Sequence, residues 1–204
     1  MLSGAALCGA VFWGGGAVAG AWPRGEGNAF TSFSLETSVD GKGSGVYASL
    51  FHEYGLTSQL TLGIDAGRDL STSDGSAIVF LRYPVFGAEG ANRFAAELGI
   101  GATTSAGRTE FTVRPGISWG RGYEVAWGSG WMGIESSYAF RADGSGLGKV
   151  DATFGIAHDS GSLTIMQLQY EKPSGKSSTL SLAPAYVIKV SDRVFLELGG
   201  RYRL

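Results

Sequence analysis

Apolar and polar residues alternate along almost the whole chain after its first twenty positions, and no stretch repeats with the 3.6-residue period of an amphipathic helix. Leu60, Leu62, Ile64 and Ala66 alternate with Thr61, Gly63 and Asp65. Phe94, Ala96, Leu98, Ile100 and Ala102 alternate with Ala95, Glu97, Gly99 and Gly101, and the same pattern returns over Leu180–Ile188. A period of two sends successive side chains to opposite faces of an extended strand. Strands are predicted near Ala29–Val39, Val46–Tyr54, Gln59–Arg68, Ser76–Val85, Arg93–Thr103 and Thr109–Gly120. They continue near Trp131–Arg141, Lys149–Ala157, Leu163–Glu171, Thr179–Lys189 and Val194–Leu204. Each is about 9–12 residues long, enough for a tilted strand to cross the hydrocarbon of a bilayer.

The two faces differ in chemistry. One reads Leu35, Leu50, Tyr54, Leu62, Ile64, Val79, Leu81, Leu98, Ile100, Phe111, Ile117, Ile134, Phe140, Val150, Phe154, Met166, Leu168 and Leu198, with His52 its one ionisable member besides tyrosines. Six aromatics of this face, Tyr54, Tyr83, Trp119, Tyr138, Tyr170 and Tyr186, fall near strand ends, where membrane-interface girdles lie. The opposite face carries Asp65, Arg82, Glu97, Arg114, Glu135, Arg141 and Asp151, together with Glu36, Glu53, Glu171, Glu197, Arg201 and Arg203. Neighbouring strands oppose sign at Asp65/Arg82, Arg82/Glu97, Glu97/Arg114 and Arg114/Glu135. Alternation alone survives inversion, so size must choose the greasy side. About eight strands enclose a volume that side chains fill, and eleven enclose more. The expected arrangement is therefore an apolar exterior around a charged lumen. That makes the fold an all-β, antiparallel up-and-down transmembrane β-barrel of 10–12 strands. Single-chain bacterial barrels have even strand numbers, so twelve is expected, with a last strand missing from this chain, and ten is the next choice.

The connections alternate between two kinds. One set is polar and rich in Gly and Ser (40–45, 71–75, 105–108, 143–148, 173–178); the other is tight or aromatic (55–58, 86–92, 121–130, 158–162, 190–193). Exterior loops of outer-membrane barrels are longer and more polar than periplasmic turns, which assigns the first set to the cell exterior.

Composition agrees with a two-faced strand. The 204 residues include 34 Gly, and only 17% are charged, against roughly 25% in soluble proteins. A net charge of −2 excludes the basic face that a nucleic-acid partner requires. Residues Met1 to Pro23 carry no charged side chain, Ala5–Ala19 are apolar, and Ala19-Gly20-Ala21 forms an A-x-A site. The expectation is a signal peptide over residues 1–21, cut after Ala21, and a barrel domain over 22–204. The lone Cys8 lies inside that signal, so the mature chain has no disulfide.

Catalytic motifs are weak. Gly116-Ile117-Ser118-Trp119-Gly120 matches a nucleophile elbow in letters, but no helix pattern follows the serine. Gly175-Lys176-Ser177 lacks the earlier glycine of a phosphate loop. Two histidines, His52 and His158, offer no zinc spacing. No enzyme activity, cofactor or metal site is expected.

Taken as a whole, the signal ending Ala19-Gly20-Ala21, the alternation over Ala29–Leu204 and hairpins such as Glu53–Gly63 make the chain resemble the small porin-like outer-membrane barrels of Gram-negative bacteria. The ending Tyr202-Arg203-Leu204 departs from that family's terminal Phe or Trp. The resemblance implies location in the cell outer membrane, contact with its lipid and lipopolysaccharide, and folding by the barrel-assembly machinery. It implies either passive transport of small solutes through the charged lumen or a structural barrel. Two alternatives stand beside it, an outer-membrane lipid-modifying enzyme and a secreted soluble β-barrel. The sequence leaves solute and oligomeric state open.

Overall fold

A computed structural model describes residues 20–40, 43–87, 90–125 and 128–204. Most of the expected signal peptide, with Cys8, lies outside the described residues. The described residues form eleven strands: β1 (Ala29–Asp40), β2 (Gly43–Gly55), β3 (Thr61–Asp69), β4 (Gly75–Phe86), β5 (Asn92–Ser105) and β6 (Arg108–Val125), then β7 (Gly128–Arg141), β8 (Gly146–Ala157), β9 (Leu163–Pro173), β10 (Thr179–Lys189) and β11 (Val194–Arg203). Each strand pairs antiparallel with the next, and the sheet closes into a barrel.

Closure fixes the strand number at eleven, within the expected 10–12 but odd rather than the favoured twelve. In an up-and-down meander the first and eleventh strands run the same way, so an eleven-strand barrel can close only through a parallel pair. β1 and β11 form that pair over nine residue positions, from Thr31 opposite Val194 to Val39 opposite Tyr202. Eleven strands suffice to close the sheet, and neither twelve nor ten is required.

All ten connections are two to five residues long. Loop length therefore does not distinguish the two mouths. The residues 121–130, read as a connection, are largely strand: β6 runs to Val125 and β7 begins at Gly128. The β5–β6 hairpin turns on Ala106 (φ 50°) and Gly107 (φ 77°), the two left-handed positions of a type I′ turn whose twist suits the flanking strands. Gly107 adopts that conformation freely, whereas Ala106 meets steric resistance from its Cβ.

Both faces follow the alternation. Outward side chains include Phe33, Leu35, Val79, Leu98, Phe111, Ile117, Phe140 and Phe154, all exposed. Inward positions are not uniformly polar, however. Phe30, Trp131, Leu163, Ile165, Val187 and Phe195 form a buried apolar cluster, supported by Trp22, Phe51, Ala157 and Ala185. It gathers at the mouth where β1 begins, called here the N-terminal mouth: Phe30, Leu163 and Phe195 lie within the first two residues of their strands and Val187 near the end of β10. Ring contacts run from Phe195 to Phe30 (4.9 Å), Phe30 to Phe51 (6.4 Å) and Phe51 to Phe80 (5.8 Å). Large rings also rest over small positions on the facing strand, Trp131 opposite Gly155 and Phe80 opposite Gly63. An eleven-strand lumen is wider than side chains of average size fill, and aromatic residues occupy part of the excess.

Relieving the strain at the β5–β6 turn tests its geometry. Ala106→Gly and Ala106→Asn are each expected to stabilise the barrel by about 1 kcal/mol, read as a higher urea midpoint, whereas Ala106→Val lowers it.

Candidate functional site

The lumen gathers the ionisable side chains. Glu53 of β2, completely buried, lies between two guanidinium groups, accepting hydrogen bonds from Arg24 Nε and from Arg82 Nη1. Arg82 of β4 extends onward to Glu97 of β5, with Nη2 2.8 Å from Oε2. Glu97 also receives Arg114 Nη2 of β6 at 3.2 Å, and Arg114 Nη1 reaches Asp65 Oδ2 of β3 at 2.6 Å. The six groups alternate in sign: Arg24, Glu53, Arg82, Glu97, Arg114, Asp65. Each internal member has two partners of opposite charge, which is the condition for keeping such groups ionised away from water.

A second ladder follows the other wall. Lys149 Nζ of β8 lies 3.1 Å from Glu171 Oε1 of β9, and Arg201 of β11 joins Glu171 (3.7 Å) to Glu36 of β1 (2.8 Å). Several of these bonds skip strands. Arg82 reaches from β4 to β2, Arg201 from β11 to β9, and Arg114 from β6 to β3, so they act as chords that cut across the lumen rather than as rungs along one hairpin.

The chain itself fills much of what remains. Residues Gly20–Asn28 precede β1 and turn into the N-terminal mouth. Ala21 is fully buried, and the Gly20 N–H donates to Glu135 Oε1 at 2.5 Å. The Trp22 ring lies against Gly120, where a Cβ would fall 2.1 Å from the indole; only glycine admits the ring there. The Arg24 N–H donates to Thr61 Oγ1 at 3.1 Å, and its guanidinium lies 4.5 Å above the Phe30 ring. Gly27 N–H to Gly55 O (3.0 Å) and Gly55 N–H to Asn28 O (2.9 Å) stitch the segment to the end of β2.

Two cavities lie among the described lumen residues. One of about 160 Å³ is lined by Arg24, Phe30, Glu53, Trp131, Glu135 and Glu197 among others. The second, about 120 Å³, lies between Asp65, Glu97, Arg114, Lys149 and Asp151. Phe51, Arg82 and Glu135 line both and form the wall between them. Each has room for several water molecules against its polar wall.

Of the seven charges selected from sequence, Asp65, Arg82, Glu97, Arg114, Glu135 and Asp151 line the cavities, and the pairings differ from those read across adjacent strands. Arg82/Glu97 and Glu97/Arg114 pair as read. Asp65 bonds Arg114 rather than Arg82, and Glu135 meets Gly20 rather than Arg114. Arg141 stands apart near the far mouth, with Nη1 3.4 Å from Ser145 Oγ. Asp151 lines the smaller cavity. Lys149 and Arg24 also belong to the ladders, although neither is among the charges selected from sequence. Lys149 shares the parity of Asp151, which was enough to place it inside. Arg24 precedes the first strand and carries no periodic signal.

The six aromatics sit on the outer surface in two groups. Tyr54, Tyr83, Trp119 and Tyr186 lie toward the N-terminal mouth, and Tyr138 and Tyr170 toward the other. Four turn their polar tips to neighbouring groups: Tyr83 to Gln59 (2.9 Å), Trp119 to Asn92 (3.2 Å), Tyr138 to Ser174 (3.3 Å) and Tyr186 to Ser162 (2.9 Å). The histidines bond threonine hydroxyls, His52 to Thr31 at 2.9 Å and His158 to Thr164 at 2.8 Å. Ser118 lies within the unbroken strand β6, without the strand-to-helix turn of a nucleophile elbow. Among the described residues no cluster of His, Cys, Asp and Glu is arranged to hold a metal ion.

Removing the carboxylate that joins the segment to the first ladder gives a direct test. Glu53→Gln leaves Arg24 and Arg82 sharing a neutral partner in a buried site, and a loss of about 3 kcal/mol is expected. Urea unfolding of the refolded barrel, with exposed Asp159→Asn as the reference, measures it.

No family model matches the chain, and comparison with curated proteins and with solved structures returns no match.

Proposed function

We propose that the barrel spans a membrane, with the cell outer membrane as its place and the export signal ending at Ala21, and that its resting role is that of a closed, structural barrel. The observation that carries the membrane reading is the outer surface. Large apolar residues are exposed along every strand, including Ile117 at 68% and Phe111 at 58%, while the ion pairs point inward. A soluble protein rarely exposes an apolar surface of that extent. In hydrocarbon the same surface is solvated, and closure of the sheet leaves no backbone edge unpaired. The aromatics near the two mouths, four of them with their polar tips bonded to neighbouring groups, fit the boundary between hydrocarbon and headgroups. On this reading lipid and lipopolysaccharide are its neighbours and the barrel-assembly machinery its folding partner.

The closed state rests on the chords. Arg114–Asp65 and Arg201–Glu171 cross the lumen, and Trp22–Asn28, the residues that follow the signal, occupy the N-terminal mouth. Passive transport of small solutes is the second reading, favoured by the two cavities on either side of Phe51, Arg82 and Glu135. It requires that wall to part.

Two measurements test these readings. Ile117 is at mid-strand in β6 and Val190 is in a rim connection. Ile117→Arg is expected to cost about 2–4 kcal/mol in lipid vesicles, as a cation at the bilayer midplane does, while Val190→Arg costs little. Equal tolerance of both, or a barrel soluble without detergent, overturns the membrane reading. In planar bilayers the folded barrel is expected to give no sustained single-channel steps. Steady conductance whose ion selectivity shifts in Arg114→Ala replaces the structural role with transport.

A further inference from the structure

We infer that the Phe30–Glu53 corner of the lumen is a binding site for an organic cation, of the guanidinium or primary ammonium class, and that Arg24 occupies it as an intramolecular ligand. The inference rests on the lumen alone, so it stands or falls separately from the membrane reading.

Three independent features converge on that corner. The first is charge. Glu53 is completely buried and already paired with Arg82 from one side, so its second oxygen, bonded to Arg24, is where a further cation belongs. Glu135 and Glu197 line the same cavity, making its wall richer in carboxylates than in cations. The second is the aromatic wall. A guanidinium 4.5 Å above Phe30 has the cation–π geometry that quaternary and planar cations seek, and Phe51 and Trp131 extend the aromatic lining. The third is space. Arg24 is among the residues that line the cavity of about 160 Å³, so removing its side chain enlarges an existing void instead of opening one in solid packing.

Arg24 also differs from the other ladder cations in how it is delivered. Arg82 and Arg114 project from paired strands, so their positions are fixed by the barrel. Arg24 arrives on a segment outside the sheet, held by side-chain and end-of-strand hydrogen bonds. The site is therefore built by the barrel and filled by a tethered arm, the arrangement in which a free ligand of the same chemistry competes with the arm. Tethering gives the arm a high effective concentration, so the intact protein binds such a ligand weakly.

Substitution followed by rescue tests this. In Arg24→Gly the side chain is gone and the backbone segment remains. Methylguanidinium chloride is titrated into the refolded full chain by calorimetry, with sodium chloride at equal ionic strength as the screening control. Arg24→Gly is expected to bind methylguanidinium saturably and at least about tenfold more tightly than the unsubstituted protein, and the binding is expected to vanish in Arg24→Gly/Glu53→Gln. Should Arg24→Gly refold only when methylguanidinium is present, that recovery supports the site equally. Arg24→Gln keeps part of the stem and provides a second folded background, in which weaker saturable binding is expected. Folded Arg24→Gly or Arg24→Gln with no saturable binding overturns the inference. So does equal binding by the unsubstituted protein, or binding that survives Glu53→Gln.

Discussion

A carboxylate cut off from water stays ionised only where cations surround it, and the interior of this barrel is organised around that requirement at Glu53. Arg82 answers from β4 and Arg24 from the segment before β1. Each brings structure with it. Arg82 transmits the alternation of charge to Glu97, Arg114 and Asp65, tying β2 through β6 into one electrostatic unit. Arg24 draws residues Gly20–Asn28 inside, where Trp22 meets Gly120 and the apolar cluster. Breaking such a pair exposes the partner's desolvation cost, whereas replacing the whole ladder with apolar residues need not. The ladder therefore specifies which side chains meet inside the barrel more than it adds to stability.

A second constraint is width. Eleven strands enclose more space than a packed single-layer core. The protein divides that space by chemistry: rings and aliphatic side chains at the N-terminal mouth, ion pairs spanning the middle, and its own backbone in the gap. Aromatic rings laid over glycines of the facing strand, Trp131 on Gly155 and Phe80 on Gly63, let large side chains lie along the wall. The high glycine content thus belongs to the filling of the lumen as much as to turns.

The period of two was enough to place the strands and to put Asp65, Arg82, Glu97, Arg114, Glu135 and Asp151 on one face, because parity is a local property. Pairing was less legible. Sign matching on adjacent strands found Arg82/Glu97, but long arginines reach past a neighbour, and Arg114 to Asp65 passes over two strands. Strand number escaped because evenness is a habit of known barrels rather than a requirement of geometry. The inner apolar cluster escaped for another reason. Phe30, Phe51, Trp131 and Phe195 are inward by parity, yet a reading that assigned one chemistry to each face had no place for them. Arg24 and Trp22 lie before the first strand, where periodicity says nothing.

The parallel pair of β1 and β11 has a consequence for time as well as shape. Every other strand pairing joins sequence neighbours and can form as soon as one hairpin's worth of chain exists. Thr31 and Val194 lie at opposite ends of the chain, and their contact closes a loop containing almost the entire barrel. Contacts of such separation come at the highest chain entropy and form slowly. Until they form, β1 and β11 are two open edges, each able to capture a strand from another molecule. The interval between the last hairpin and the seam is thus the period in which this chain is most exposed to misassembly, and any factor that shelters it must hold both ends of the sequence at once.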